Sequence, residues 1–312
     1  MLRYVFMGSP PLAATILERL CGELYPPIGV VTQEPKEAGR GRKLQPTAVE
    51  GFAKSRGLEV LATPNVNAPE ALALLRSWQP DLLLVAAFGQ ILRNEVLALP
   101  RLFSLNVHAS LLPRYRGAAP IQRAILDGDG KTGITIQKMA RKLDTGDILL
   151  QREIAILPEE TSGALMDRLA VLGGECLVES VRRIEAGTHT FQPQDERLAT
   201  YAAKLTKEEA VLDWAKPADV LLRQIYGLQP WPVAETRLGG ERLKVFAARV
   251  TDERRDEPPG SIATDHRGFL AVRTGDGRAL SLTEIQLENR KRLAVEDFLK
   301  AYRGSFPYPK MG

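Results

Sequence analysis

Strand-length apolar runs alternate with helical stretches through roughly the first 190 residues, and this alternation restricts the fold more than any other feature. Arg3 to Met7, Ile28 to Thr32 and the short Glu59 to Ala62 read as strands. Between them Leu12, Ile16, Leu17 and Leu20 keep the spacing of one helix face, and helices are expected over about Thr47 to Arg56 and Pro69 to Trp78. Asp81-Leu82-Leu83-Leu84-Val85-Ala86-Ala87 lacks polar alternation, which suits a strand covered on both faces. The series predicts a Rossmann-like α/β fold, a parallel sheet with helices on either side. The first turn carries Gly8 alone, without GxGxxG, and no GxxxxGK[ST] occurs. A dinucleotide or P-loop nucleotide is therefore not expected.

The texture changes after Gly187. Residues 191–207 are polar and aperiodic and read as a surface linker between a first domain over 1–190 and a second over 208–312. Thr206-Lys207-Glu208-Glu209 has capping-box spacing, and Pro217 to Tyr226 reads as a helix closed by Gly227. Two hairpins follow, one turning at Gly239-Gly240 and one at Gly275-Asp276-Gly277, with a helix from Val295 to Tyr302. Several short strands in so few residues suggest a small OB-like β-barrel.

With 44% hydrophobic and 26% charged residues among 312, the chain is neither disordered nor fibrous. No apolar run reaches the ~18 residues of a membrane span, and the start shows no secretory leader. Cys21 and Cys176 stand far apart, outside any CxxC, so neither a disulfide framework nor a cysteine zinc site is expected. A reduced, cytoplasmic protein is the expectation. The net charge of +4 permits an anionic partner without requiring one.

Three stretches carry chemistry. In Phe103-Ser104-Leu105-Asn106-Val107-His108, period two sends Asn106 and His108 to one face and the aliphatic pair to the other. An amide and an imidazole side by side can both donate to an oxygen that gains negative charge, or simply cap a turn. His189 and His266, the other two histidines, stand in polar contexts that suggest solvation. Leu143-Asp144-Thr145-Gly146-Asp147 places two carboxylates in a turn before an apolar strand. Either both serve the turn, or one orients His108 and favours its protonated form. Gln33 to Pro46 is a fourteen-residue stretch without apolar periodicity and is expected to be a loop. Glu34 and Glu37 stand against Lys36, Arg40, Arg42 and Lys43, so the loop is either a solvated face or a phosphate-contacting one.

These stretches, with Phe6-Met7-Gly8-Ser9-Pro10, Ser110-Leu111-Leu112-Pro113-Arg114-Tyr115-Arg116-Gly117-Ala118-Ala119-Pro120, Tyr201 to Glu209 and Pro230-Trp231-Pro232, resemble the folate-dependent formyltransferase superfamily over nearly the whole chain. The basic loop and the second domain resemble its tRNA-dependent members. The resemblance implies transfer of formyl from 10-formyltetrahydrofolate to the α-amine of methionyl initiator tRNA, for translation initiation. It assigns Asn106, His108 and Asp144 as catalytic residues and Ser110, Leu111, Leu112 and Pro113 as folate contacts. Phe88, Gln90, Ile91 and Leu92 would wall the pterin pocket, although apolar residues there also suit a core. Arg40, Arg42 and Lys43 would meet the tRNA, and no metal is implied. Residues 208–312 hold seventeen basic and sixteen acidic side chains, so a tRNA role for them rests on the resemblance rather than on composition. A relative formylating a small amine would share the trio and folate pocket without needing the basic loop or the second domain.

Overall fold

A computed structural model describes residues 1–38, 43–251, 256–301 and 307–312. The chain forms two compact units. The first comprises Met1–Pro120, Lys131–Ile154 and Met166–Ala202, and the second Ile121–Gly130, Ala155–Leu165 and Ala203–Gly312.

In chain order the elements begin with β1 (Tyr4–Gly8), α1 (Pro11–Glu23), β2 (Gly29–Thr32), β3 (Lys36–Ala38), β4 (Lys43–Gln45), α2 (Ala48–Ser55), β5 (Val60–Ala62) and α3 (Pro69–Ser77). Next come β6 (Leu82–Ala86), α4 (Asn94–Leu97), β7 (Phe103–His108), β8 (Arg116–Gly117), α5 (Pro120–Asp127), β9 (Lys131–Lys138), β10 (Ile148–Ala155), α6 (Ser162–Glu185) and β11 (Tyr201–Ala202). The last are α7 (Ala218–Gly227), β12 (Glu235–Leu238), β13 (Glu241–Thr251), β14 (Ile262–Thr264), β15 (Leu270–Arg273), β16 (Ala279–Leu287), β17 (Leu293–Ala294) and α8 (Val295–Lys300).

The first unit is built on a seven-stranded sheet in the order β10-β9-β7-β6-β1-β2-β5. Strands β5, β2, β1, β6 and β7 pair in parallel, as the alternation predicts, and β9 joins β7 antiparallel. All five residues of β1 and of β6 are buried, which is why these runs show no polar alternation. Val5, Met7, Val31, Leu83 and Val85 pack with Leu75, Trp78, Phe88 and Leu92. Each such buried side chain contributes about 1.5–3 kcal/mol relative to exposure. The long α6 lies close to α1 and β7 because Gly173 has no side chain. A Cβ there would sit 3.1 Å from Val107 and 3.2 Å from Ile16. Strand order reverses at β1, with β2 and β5 to one side and β6 and β7 to the other. Ligand crevices in open α/β sheets form beyond the carboxyl ends of strands near such a reversal.

Two expectations need correction here. Residues 33–46 are not wholly loop: β3 and β4 pair antiparallel, Lys36 opposite Gln45 and Glu37 opposite Leu44. A two-stranded ribbon held by its backbone needs no buried face, so it leaves no apolar period to read. His189 is not simply solvated. It lies half-buried among Phe103 and Phe191, with ring centroids 5.6 and 5.7 Å away, brought together by chain segments remote in sequence.

In the second unit an antiparallel sheet runs β12-β13-β16-β15-β14, with β17 on β16. Gly239 and Gly240 take φ of 56° and 85° in the β12–β13 turn, conformations cheap only for glycine. Leu221 and Ile225 of α7 join Val245, Ala248, Leu270, Leu280 and Leu282 in the core of this unit. Gly227 is the last residue of α7 rather than a left-handed cap. Its bare Cα lets Ile125 and Leu126 approach, since a Cβ would lie 3.2 Å from each. The short turn after Thr206 is a 3₁₀ turn over Glu208–Ala210, with Glu209 Oε1 accepting from the Thr206 N–H at 2.9 Å. Among the described residues, no helix is long and apolar enough to cross a membrane.

Candidate active site

Strand β7 carries the polar pair. Leu105 and Val107 are buried while Asn106 and His108 take the alternate positions. Asn106 stands opposite Val85 of β6 and Gln137 of β9, and His108 opposite Thr135. The loop after β9 then brings a carboxylate back: Asp144 Oδ1 lies 3.6 Å from His108 Nδ1, with both side chains buried. Of the two aspartates in that turn, Asp144 faces the histidine, whereas Asp147 is exposed and its carbonyl accepts from Lys138 N–H at 2.8 Å.

Asp144 is held from several directions. Oδ1 accepts from Gln137 Nε2 at 2.9 Å and Oδ2 from the Gly117 N–H at 2.9 Å. The backbone of Asp144 takes φ of 53°, a left-handed conformation that Asp and Asn tolerate better than most side chains. Gly146 lies so close to β9 that a Cβ would collide with the Lys138 carbonyl at 1.6 Å. His108 Nε2 is 2.9 Å from the Tyr115 carbonyl, which can only accept, so this nitrogen bears a proton. Its Nδ1 faces the Asp144 carboxylate. The side-chain amide of Asn106 makes no hydrogen bond to another described residue, leaving its donors open beside the histidine.

The remaining expected residues divide. The Ser110–Pro113 turn is pinned from beneath: Ser110 Oγ donates to the Arg114 carbonyl at 2.7 Å, and Thr135 Oγ1 donates to the Ser110 carbonyl at 2.7 Å. Gln151 Nε2 donates to the Leu112 carbonyl at 2.7 Å; Leu112 is buried, Leu111 and Pro113 half-buried. Phe88 and Leu92 are core residues, while Ile91 is 84% exposed. Gln90 is spent internally, donating to the Thr63 carbonyl at 2.8 Å and accepting from Val66 N–H at 2.7 Å. Arg40 and Arg42 lie outside the described residues, and Lys43 is described only as the backbone start of β4.

Three residues around the site escape sequence reading. Gln137 is recognisable only once β9 is set in register against Asn106. Arg116, with no exposed surface, donates to Gln194 Oε1 and to the Glu196 carboxylate, a pair at 2.8 Å. Hydrogen bonding to Glu196 raises the guanidinium pKa, and the same bond lowers that of Glu196. Gln194 sits in an aperiodic polar stretch that offers no signal at all.

A mostly parallel sheet with polar side chains gathered at one strand's carboxyl end has the architecture of an α/β enzyme. The chain belongs to the formyl transferase family. Residues 2–181 match the model of the formyl transferase family and residues 204–303 that of the formyl transferase C-terminal domain. It is 44% identical over 301 residues to the methionyl-tRNA formyltransferase of Methylococcus capsulatus, covering 96% of this chain and 97% of that protein. Among solved structures, an N-formyltransferase from Helicobacter canadensis in complex with folinic acid and dTDP-3-aminofucose superposes with a TM-score of 0.69 at 16% identity, covering 90% of this chain and 99% of that one. HypX from Aquifex aeolicus in complex with tetrahydrofolic acid gives a TM-score of 0.63 at 18% identity. That match covers 96% of this chain and 47% of HypX.

Proposed function

We propose that this protein transfers the formyl group of 10-formyltetrahydrofolate to the α-amine of methionyl initiator tRNA, giving the N-formylmethionyl-tRNA of translation initiation. The observation that carries this reading is the 44% identity to a methionyl-tRNA formyltransferase along 97% of that protein's length. The fold alone does not choose the acceptor, since a structure bound to an amino sugar nucleotide shares it.

The folate cosubstrate supplies an activated formyl carbon. Asn106 would donate from its open amide to the formyl oxygen as that oxygen gains charge, and a protonated His108, its two nitrogens turned to Tyr115 and Asp144, would add a positive charge beside it. Asp144 would hold the imidazolium and take up the proton shed by the attacking amine, directly or through water. As the C–N10 bond breaks, a proton returns to N10. Ser110, Leu111, Leu112 and Pro113 would meet the folate by the rigid backbone of their turn. Among residues 88–92, exposed Ile91 is the best placed to touch it, with Phe88, Gln90 and Leu92 shaping the wall from behind.

Residues 1–190 would carry the chemistry, and 208–312 would contact the tRNA beyond 191–207. We read the second unit's sheet as a small OB-like barrel. Two bridges support it: β12 reaches the C-terminal tail at Leu238–Met311, and Ser261, just before β14, reaches it at Lys310. Both ends of the sheet thus meet one tail segment. Arg40, Arg42 and Lys43 would engage tRNA phosphates, and a cytoplasmic location accords with that substrate.

One assay tests the reading: incubate the protein with 10-formyltetrahydrofolate and charged initiator methionyl-tRNA, and measure formylmethionine. Product is expected. No product with this acceptor, alongside formylation of a small amine, would sink the proposal in favour of that rival.

A further inference from the structure

The segment that reads as a linker is bonded to both loops that hold the candidate catalytic pair. Gln192 exchanges two backbone hydrogen bonds of 2.8 Å with Ile148, at the exit of the Asp144 loop. Thr200 Oγ1 accepts from the Tyr115 N–H and the Thr200 carbonyl from the Arg116 N–H, each at 2.9 Å. The Tyr115 carbonyl is the group beside His108 Nε2, and Gly117 N–H is the group on Asp144 Oδ2.

Between those anchors sits Gln194. Its Nε2 lies 2.9 Å from the Asp144 carbonyl and 2.7 Å from the Gly146 carbonyl, with Gln137 Oε1 at 3.4 Å. Its Oε1 accepts from Arg116 Nε at 3.1 Å and Nη2 at 2.8 Å. Chemistry fixes which way the amide points. A guanidinium only donates, so the oxygen must face Arg116, and carbonyls only accept, so the NH₂ must face the loop. Arg116 is in turn oriented by Glu196, whose Oε2 and Oε1 lie 3.0 and 2.8 Å from its Nη1 and Nη2. A buried guanidinium gripped this way leaves Gln194 one orientation.

We infer that Gln194 is a positioning residue for formyl transfer, holding the left-handed Asp144 turn so that its carboxylate faces His108. The inference rests on the proposed reaction and on Asp144 and His108 as its working pair. Gln194 need not touch either substrate. Its loss is therefore expected in kcat and not in KM, because a displacement near 1 Å at a reacting group costs on the order of 10²-fold in rate.

The test is steady-state formylation of methionyl-tRNA by the full chain and by Gln194→Ala and Gln194→Glu, with thermal unfolding of each. Gln194→Glu keeps an acceptor for Arg116 but sets an oxygen against the two loop carbonyls. Both variants are expected to lose kcat by about 10- to 100-fold, with KM for tRNA and for the folate within about threefold and the unfolding midpoint near the parent's. A folded variant of either kind with a kcat within about twofold of the parent overturns the inference. So does a loss confined to KM, or failure of both variants to fold, which would make Gln194 a scaffold residue. If the parent chain itself forms no formylmethionine, the proposed function fails first, and the two failures are told apart in one experiment.

Discussion

Two regions of the first unit are built on opposite plans. Around His108 and Asp144, ring, carboxylate and loop carbonyls are met by Tyr115, Gly117, Gln137 and Gln194 at 2.7 to 2.9 Å. The β3–β4 ribbon is the reverse: Leu44 is 71% exposed, and Lys36 reaches back to Gln33, at 2.6 Å. Chemistry at a carbonyl carbon depends on donors already in place before charge develops, so its residues are over-held. Contact with a phosphate backbone, the role proposed for the ribbon, would ask for charge and reach, which need no packed interior. On the proposed roles, changes in the first region are expected to show in rate and changes in the second in salt dependence.

The strongest challenge to that contrast is His108→Ala. Turnover is expected to fall by about 10²- to 10⁴-fold, with folate affinity, read by equilibrium binding, within a few-fold. A nearly normal rate would take His108 out of the chemistry. Next in size is Asn106→Ala, which would remove the proposed amide donor to the developing oxyanion. A cost of about 2.7–4 kcal/mol, or 10²- to 10³-fold in kcat, is expected by single-turnover kinetics. A loss confined to KM would instead make Asn106 a binding group. The smallest effect is expected at Arg42, outside the described residues. Arg42→Ala is expected to weaken tRNA use, leave folate affinity unchanged, and lower the slope of log affinity against log salt by about 0.7 to 0.9. An unchanged slope would show that residue 42 is a solvated charge.

Much of the first unit was legible because burial on both faces leaves an unmistakable apolar run, as in Leu82 to Ala86. The second unit's β12–β13 hairpin was legible because Gly239-Gly240 satisfies a turn that few other pairs can. Asn106 and His108 could be placed on one face by counting in twos. That Asp144 rather than Asp147 turns toward His108 could not, since the choice depends on a loop folding back on β9. Gln194 was invisible for a further reason. Its role comes from bonds to residues 48 and 50 positions earlier and to Arg116, 78 positions earlier, and polar, aperiodic sequence records no such partner. His189 misled in the same way, since one of its aromatic neighbours, Phe103, arrives from a strand far back in the chain.

The backbone at Asp144 has one more implication. With φ at 53°, the position speaks a short alphabet, in which Gly, Asn and Asp are the comfortable letters. Of these only Asp bears a charge, so the carboxylate can be exchanged for its uncharged amide with the turn left at rest. Asp144→Asn thus removes the charge without straining the backbone, though its NH₂ must replace an oxygen that accepts from Gly117 or Gln137, whereas Ala or Glu at the same place would strain the turn as well.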